Sequence, residues 1–358
     1  MSLNLKSLAV SSAPWLSAQG DLADHVISSR VRLARNLARI PYPSVANSTQ
    51  LGEVADTVAA CTELLETTSP GRYLRARELD TTDRQLLVER HLTSPDFMRE
   101  NTDLAVFVSE DEQVSVTVNE EDHLRIQTLG SGLSLARAWA SASEVDAGLD
   151  ARLTFDFDRD FGYLTACPTN VGTGLRASVL VHLPALVLTR EIESYLGRLG
   201  KLGFVARGFY GEGTDVQGNL FQISNQTTLG QTEEEITSGL ESITRQLVDQ
   251  ERDAEKTLLR DARTELEDRV WRAWAVITHA RMLNSSEMMN LLSAVRLGAG
   301  LGVLPEVPRS TLNELLILTQ PAHLQKAGGG TLSAEERDVR RAQVFRERLG
   351  GPHGAGTK

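Results

Sequence analysis

Apolar and polar residues alternate with a period of two over Val114–Val118, where three valines interleave with Ser115 and Thr117. That spacing predicts a half-buried strand. Leu104–Val108 precedes it and Glu110-Asp111-Glu112 supplies a polar turn, so a hairpin is predicted. His123, Arg125 and Gln127 then alternate with Leu124 and Ile126, which puts the polar side chains on one sheet face. Strand-like runs recur at 153–157, 178–183 and 203–210, and helical spacing marks 52–66 and 82–92. The predicted fold class is α+β, a mainly antiparallel sheet flanked by helices.

The period changes after Gly230. Thr232, with Glu235 three residues on, predicts a capping box. Ile236, Leu240, Ile243, Leu247, Ala254 and Leu258 follow at helical spacing. More helices are expected up to about Gly350, broken at Asn284-Ser285-Ser286, at Pro305 and at Gly328-Gly329-Gly330. The expected division is a first domain over 1–230, a helical C-terminal domain over 231–350, and a tail over 351–358 without fixed structure. There is no internal repeat.

Composition narrows the function. The formal net charge of −11 disfavours a general nucleic-acid or membrane-surface binder. An acidic protein that handles polyphosphate must therefore gather its cations locally. The two cysteines, Cys61 and Cys167, lie far apart and form no CxxC, so neither a disulfide framework nor a zinc site is indicated. No run of ~20 apolar residues occurs, and the first residues do not read as a signal peptide. A reduced, cytoplasmic protein is expected.

Four segments concentrate polar residues in apolar surroundings: 28–36 (SSRVRLARN), 119–126 (NEEDHLRI), 167–176 (CPTNVGTGLR) and 207–213 (RGFYGEG). Arginine offers planar, permanently charged forks that suit phosphate, and Arg30, Arg32, Arg125, Arg176 and Arg207 are candidates to supply them. Gly172 and Gly174 would let backbone amides approach a phosphate closely. The pattern is not a P-loop, and the HRD and DFG signatures of ordinary protein kinases are missing. Plainer readings stand beside this one. Single arginines are usually surface or ion-pair residues, 28–35 also reads as an exposed basic helix start, Glu120-Glu121-Asp122 as a solvated turn, and Cys167 as a small buried hydrophobe.

Beyond residue chemistry, CPTNVGTGLRASV resembles the phosphate-binding segment of guanidino kinases, the creatine and arginine kinase superfamily. NEEDHLRI resembles their acidic substrate strand and SSRVRLARN their arginine-bearing nucleotide segment. The closer resemblance is to one branch, the bacterial protein arginine kinases of the McsB type. It extends from about Leu16 to Leu349 and includes RGFYGEGTDVQGNLFQISNQTTLG, ELEDRVWRAW and ILTQP. Arg337–Ala342 fits the RDxxRA motif by which that branch is understood to bind phosphoarginine, although alone it reads as a charged amphipathic helix.

The resemblance implies a guanidino-kinase catalytic fold and transfer of the ATP γ-phosphate, with Mg2+, to arginine side chains of proteins. It implies a nucleotide site at Ser28, Ser29, Arg30, Val31, Arg32, His91, Arg125, Arg176, Ala177, Ser178, Val179, Leu180, Arg207, Gly208, Phe209, Tyr210, Gly211 and Glu212. Glu121 and Glu212 match the carboxylates that orient the acceptor guanidinium and take its proton, with Cys167 supporting them. Arg337, Asp338 and Arg341 would hold phosphoarginine as an allosteric site. Implied partners are protein substrates with accessible arginines, a zinc-binding activator protein, a heat-shock repressor, a Clp-type unfoldase–protease and a second copy in a homodimer. No direct nucleic-acid or membrane contact is expected. The alternatives in other classes are a small-molecule guanidino kinase, a non-catalytic phosphoarginine-binding adaptor and, more remotely, a nucleic-acid-binding repressor.

Overall fold

The computed structural model describes residues 4–63, 65, 69–99, 103–208 and 216–350. Phe209, Tyr210, Gly211 and Glu212 lie outside them, as does the 351–358 tail expected to lack structure. Eight strands form one antiparallel sheet in the order β2-β3-β4-β5-β1-β8-β10-β9. Their ranges are β1 Val26–Arg35, β2 Gly71–Arg75, β3 Ala105–Ser109, β4 Val114–Val118, β5 Leu124–Ser131, β8 Leu175–His182, β9 Phe204–Arg207 and β10 Leu220–Asn225. A separate two-stranded ribbon pairs β6 (Phe157–Asp158) with β7 (Gly162–Tyr163).

The expected α+β class holds. The central strand β1 is where the exposed-helix reading of 28–35 fails. Alternation of Val31 and Leu33 with Arg30 and Arg32 has a strand period, and both valine and leucine are fully buried. The 153–157 run forms no extended strand. Phe155 is buried and bridges Leu37, but Phe157 is 60% exposed, so the chain has already left the sheet.

Because side chains alternate across a sheet, each strand has two destinations. One face presents Val31, Leu33, Val116, Ile126, Ala177, Val179 and Ile223, which join one apolar cluster. It is covered by α2 (Ser48–Ala59), by α4 (Leu135–Asp150) and by the first half of α7 (Glu233–Asp261), whose Ile236, Leu240 and Leu247 belong to the same cluster. Burying each of the valine, leucine and isoleucine side chains contributes ~1.5–3 kcal/mol. The predicted capping box at Thr232 and Glu235 is present at the start of α7.

The opposite face is apolar only at its margins. At one end Leu129, Leu180 and Leu220 pack with Trp15 and with α8 (Arg263–His279), α9 (Ser285–Gly300), α10 (Arg309–Leu318) and α12 (Ala334–Leu349). At the β2–β3 edge Val106 and Val108 pack with Leu86, Leu87 and Val88 of α3 (Thr81–Glu89), with Phe97, and with Ala322 of α11 (Pro321–Gly328). Polar residues occupy the middle. Among the described residues no helix is long and apolar enough to cross a membrane.

His25, just before β1, joins the sheet to α7. Its ring lies 3.1 Å from Asp24 and 3.2 Å from Glu255. Burial opposes charge on this ring, but the two carboxylates outweigh it and raise the pKa from 6.5 to about 9. A pKa raised on folding gives stability that is complete below 6.5 and lost as pH climbs through 9. His25→Gln should therefore flatten the fall in melting temperature over that window. The difference from wild type should be at most ~3 kcal/mol near pH 6 and vanish by about pH 10, measured by denaturation at each pH.

Candidate active site

The polar middle of the second face is built by strand register. Arg32 pairs with Gln127 on one side and with Arg176 on the other. Arg30 pairs with Leu129 and Ser178, and Gln222 with Arg207. Directly opposed residues share a face. The sheet therefore gathers Arg30, Arg32, Arg125, Arg176 and Arg207, five arginines from four strands, around a cavity of about 310 Å³. Its far wall is the segment after α3, contributing His91, Leu92, Thr93, Ser94, Pro95 and Asp96.

The arginines differ in how they are satisfied. Arg30 donates to Gln222 Oε1 at 2.9 Å and to Ser178 Oγ at 3.4 Å, both neutral acceptors. Arg32 Nε is buried with no hydrogen-bond partner among the described residues. Arg125 is 2.9 Å from Glu120 and 4.0 Å from Glu121. Burial, and then Arg125 and Arg176, push Arg30 down to about 10. Burial and the surrounding arginines push Arg32 down as well, and burial with Arg30 and Arg32 lowers His91 to about 3. The cleft is thus a concentration of positive charge suited to an anion.

Glu121 is the carboxylate at the border. It lines this cleft and also an adjoining cavity of about 320 Å³ walled by Asp96, Glu120, Asn119, Arg99 and Ala166. Burial, reinforced by Asp122, raises its pKa. Glu120 is occupied structurally, accepting from Ser94 N at 3.2 Å and from Thr117 Oγ1 at 3.2 Å. Asp122 ties two of the motif segments together, accepting from Asn36 Nδ2 and Ala166 N, both at 2.6 Å.

Of the residues expected in the nucleotide site, Arg30, Arg32, His91, Arg125, Arg176 and Arg207 line the main cleft. Ser28, Ser178 and Leu180 line a small recess that continues from it past Trp15. Ser29, Val31, Ala177 and Val179 occupy the alternate positions, with side chains in the opposite face. There Ser29 Oγ donates to Gly132 O at 2.8 Å. Gly208 follows β9 and is buried. Cys167 lines neither cavity; its thiol is 3.1 Å from Thr169 Oγ1.

One expectation needs correction. Gly172 and Gly174 do not line the cleft: a Cβ at Gly174 would meet Ala34 O at 2.7 Å, and one at Gly172 would meet Thr228 O at 2.7 Å. They allow close backbone packing, not phosphate contact. Arg341 does not share an open surface with Arg337. It is 1% exposed and donates to Thr319 O, Leu283 O and Asp338, whereas Arg337 bonds only Leu332 O and is half-buried. Gln222, Thr93, Ser94, Asp96 and Thr117 line the cleft without having been anticipated. Gln222 had a legible signal, since it alternates with Phe221 and Ile223; the loop residues had none.

This geometry has relatives. Residues 53–254 match the family model of the ATP:guanido phosphotransferase C-terminal catalytic domain, and residues 263–356 match that of the protein-arginine kinase McsB C-terminal domain. A protein-arginine kinase of Symbiobacterium thermophilum is 52% identical over 94% of this chain and 96% of its own. This chain belongs to the protein-arginine kinase family. A second such kinase, from Moorella thermoacetica, is 48% identical over 98% of this chain and 100% of its own. Among solved structures, the duplicated taurocyamine kinase from Schistosoma mansoni with bound transition-state-analogue components is 26% identical, with a TM-score of 0.58 over 64% of this chain. This chain spans 33% of that one. Lombricine kinase shares the fold, at 24% identity and a TM-score of 0.56. The protein is therefore an enzyme of the phosphotransferase class.

Arg32 gives a direct test of the cleft. Arg32→Met removes a half-buried charge whose Nε has no hydrogen-bond partner among the described residues, so the ligand-free variant should melt no lower than wild type. Tripolyphosphate at ~100 times its Kd should stabilise wild type by ~2.7 kcal/mol. The variant should lose most of that gain, as followed by thermal denaturation with and without the anion.

Proposed function

We propose that this enzyme transfers the γ-phosphoryl group of Mg-ATP to arginine side chains of other proteins. The observation that carries the reading is the position of Glu121, on the border between an arginine-lined cleft and an acid-walled cavity. A polyanion and a cationic acceptor would meet there. The relatives' names support arginine as the acceptor.

Arg30, Arg32, Arg125, Arg176 and Arg207 would hold the polyphosphate and neutralise charge spreading over the transferred group. Arg32, whose Nε has no hydrogen-bond partner among the described residues, fits such a ligand best. The recess bounded by Ser28, Ser178, Leu180 and Trp15 suits the remainder of the nucleotide. Among the described residues no group of three or more His, Cys, Asp or Glu is placed to hold a metal. Mg2+ would then be carried by the phosphates and water, as its preference for oxygen ligands allows, and would supply further charge neutralisation.

A guanidinium is protonated and a poor nucleophile. Glu121, and Glu212 by resemblance, would orient it and accept a proton as the N–P bond forms and the bond from phosphorus to the ADP oxygen breaks. The raised pKa of Glu121 makes it a stronger base than an ordinary surface carboxylate. Cys167 would contribute only at a distance, through the segment that Asp122 fastens. On α12, Arg337 and Asp338 would recognise phosphoarginine, with Arg341 holding the helix in place. A zinc-binding activator, a heat-shock repressor, a Clp-type protease and a second copy remain the partners this reading implies.

Incubation with Mg-ATP and an unrelated arginine-rich protein should yield label that is lost in acid and maps to arginine by mass spectrometry at neutral pH. Acid-stable label on serine, threonine or tyrosine would refute the reading. Glu121→Gln and Glu212→Gln should each lower turnover by roughly 10²–10³ while ATP binding survives. More than a tenth of wild-type rate in either variant would remove that residue from the mechanism.

Asp338→Ala should abolish calorimetric binding of free phosphoarginine. Arg341→Ala should instead lower thermal stability, because it would strand the carbonyls of Leu283 and Thr319. Retained binding in Asp338→Ala would reject the α12 site.

A further inference from the structure

A buried charge cluster lies behind the cleft wall and uses none of the residues assigned to catalysis. Glu89, the last residue of α3, is 1% exposed. Its carboxylate accepts from Ala322 N at 3.0 Å, from His323 N at 3.3 Å and from His323 Nδ1 at 2.9 Å. It thereby caps the N-terminus of α11, where Gln320 makes no side-chain cap of its own. Burial holds His323 below its ordinary pKa. A neutral ring with its proton on Nδ1 fits both neighbours, since Nε2 faces the Arg90 guanidinium at 3.5 Å.

The next residue continues the cluster. Arg90 is fully buried and makes a two-pronged pair with Glu112, both contacts at 2.5 Å. It also donates to Leu8 O at 2.6 Å and Ser11 O at 3.1 Å. Glu89 and Arg90 together bind the N-terminal segment, the β3–β4 turn and a C-terminal helix at one point.

His91 comes directly after them. Its backbone is left-handed, with φ +59°, and its carbonyl accepts from Gln127 Nε2 at 2.6 Å. From His91 to Asp96 the chain forms the far wall of the cleft, with a short 3-10 turn beginning only at Pro95. We propose that Glu89 and His323 form a clasp that positions this wall against the arginine face, making nucleotide affinity depend on how α11 is seated. Glu89 and His323 are positioning residues; neither touches the cleft. The proposal rests on the nucleotide reading of the cleft. It adds that the C-terminal helices are part of the site's rigidity. Arg341, whose Nε donates to Thr319 O at 2.9 Å just before α11, extends the connection to α12.

The test uses the full chain and measures ATP affinity by calorimetry alongside melting temperature. Glu89→Gln keeps size but halves the acceptors, and His323→Leu removes the ring donor. Both should weaken ATP binding about tenfold, a loss of ~1.4 kcal/mol. His323→Asn, whose amide can replace the Nδ1 donor, should stay within about twofold of wild type. Leu292→Ala, in the core of α9 away from the clasp, serves as a destabilised control and should bind ATP as wild type does. The clasp is rejected if Glu89→Gln and His323→Leu bind ATP normally. It is equally rejected if Leu292→Ala weakens binding as much, since the effect would then be general loosening. Failure of wild type itself to bind ATP would overturn the nucleotide reading and the clasp with it.

Discussion

Like charges crowded on one sheet face are the constraint on which the rest of this structure depends. Arg30, Arg32, Arg125, Arg176 and Arg207 face one cavity, and no described carboxylate neutralises Arg30 or Arg32 directly. Such an arrangement is stable only if other contacts offset the repulsion and desolvation. The sheet does this by giving every other residue of the same strands to a large apolar core. Val31 and Leu33 hold in place what Arg30 and Arg32 would push apart. The low pKa of His91 follows from its burial and then from Arg30 and Arg32, beside which a further cation would add to the cost.

The same two-faced logic explains what the sequence revealed. Strand alternation was enough to locate the polar face at Arg125 and Gln127, though His123 precedes the strand and bonds Leu37 and Pro41 instead, and the capping box at Thr232 was legible as local chemistry. Alternation also allowed the correct reading of 28–35, but charge density there disguised a central strand as a basic helix. Register was not legible. That Arg32 sits between Gln127 and Arg176 is fixed by strand order, which no local pattern encodes. The wall from His91 to Asp96 was silent for a related reason, because its position comes from buried tertiary contacts at Glu89 and Arg90.

Residue type alone did not reveal the surroundings of two positions. Gly172 and Gly174 had the look of a phosphate loop, yet they make room for the backbone at Ala34 and Thr228. Arg341 sits in a motif beside Asp338, yet its guanidinium is a three-way brace between helix termini and loops. In both cases the residue's chemistry was right and its partner was protein. Acidic residues divide similarly: Glu112 and Glu120 are consumed by arginines inside the fold, while Glu121 is left at the border of two cavities.

Sinking the arginines into a cleft has a kinetic corollary. The molecule as a whole carries a formal charge of −11, so within the ~8 Å screening length of physiological salt around its outer surface an approaching nucleotide meets a repulsive field. An arginine-rich polypeptide meets attraction at the same range. The two reactants are thus recruited at different distances, the protein by the outer field and the nucleotide only at the mouth of the cleft. Raising ionic strength therefore acts once on the polypeptide, weakening its attraction, and twice on the nucleotide, easing the outer repulsion while weakening capture at the arginine-lined mouth.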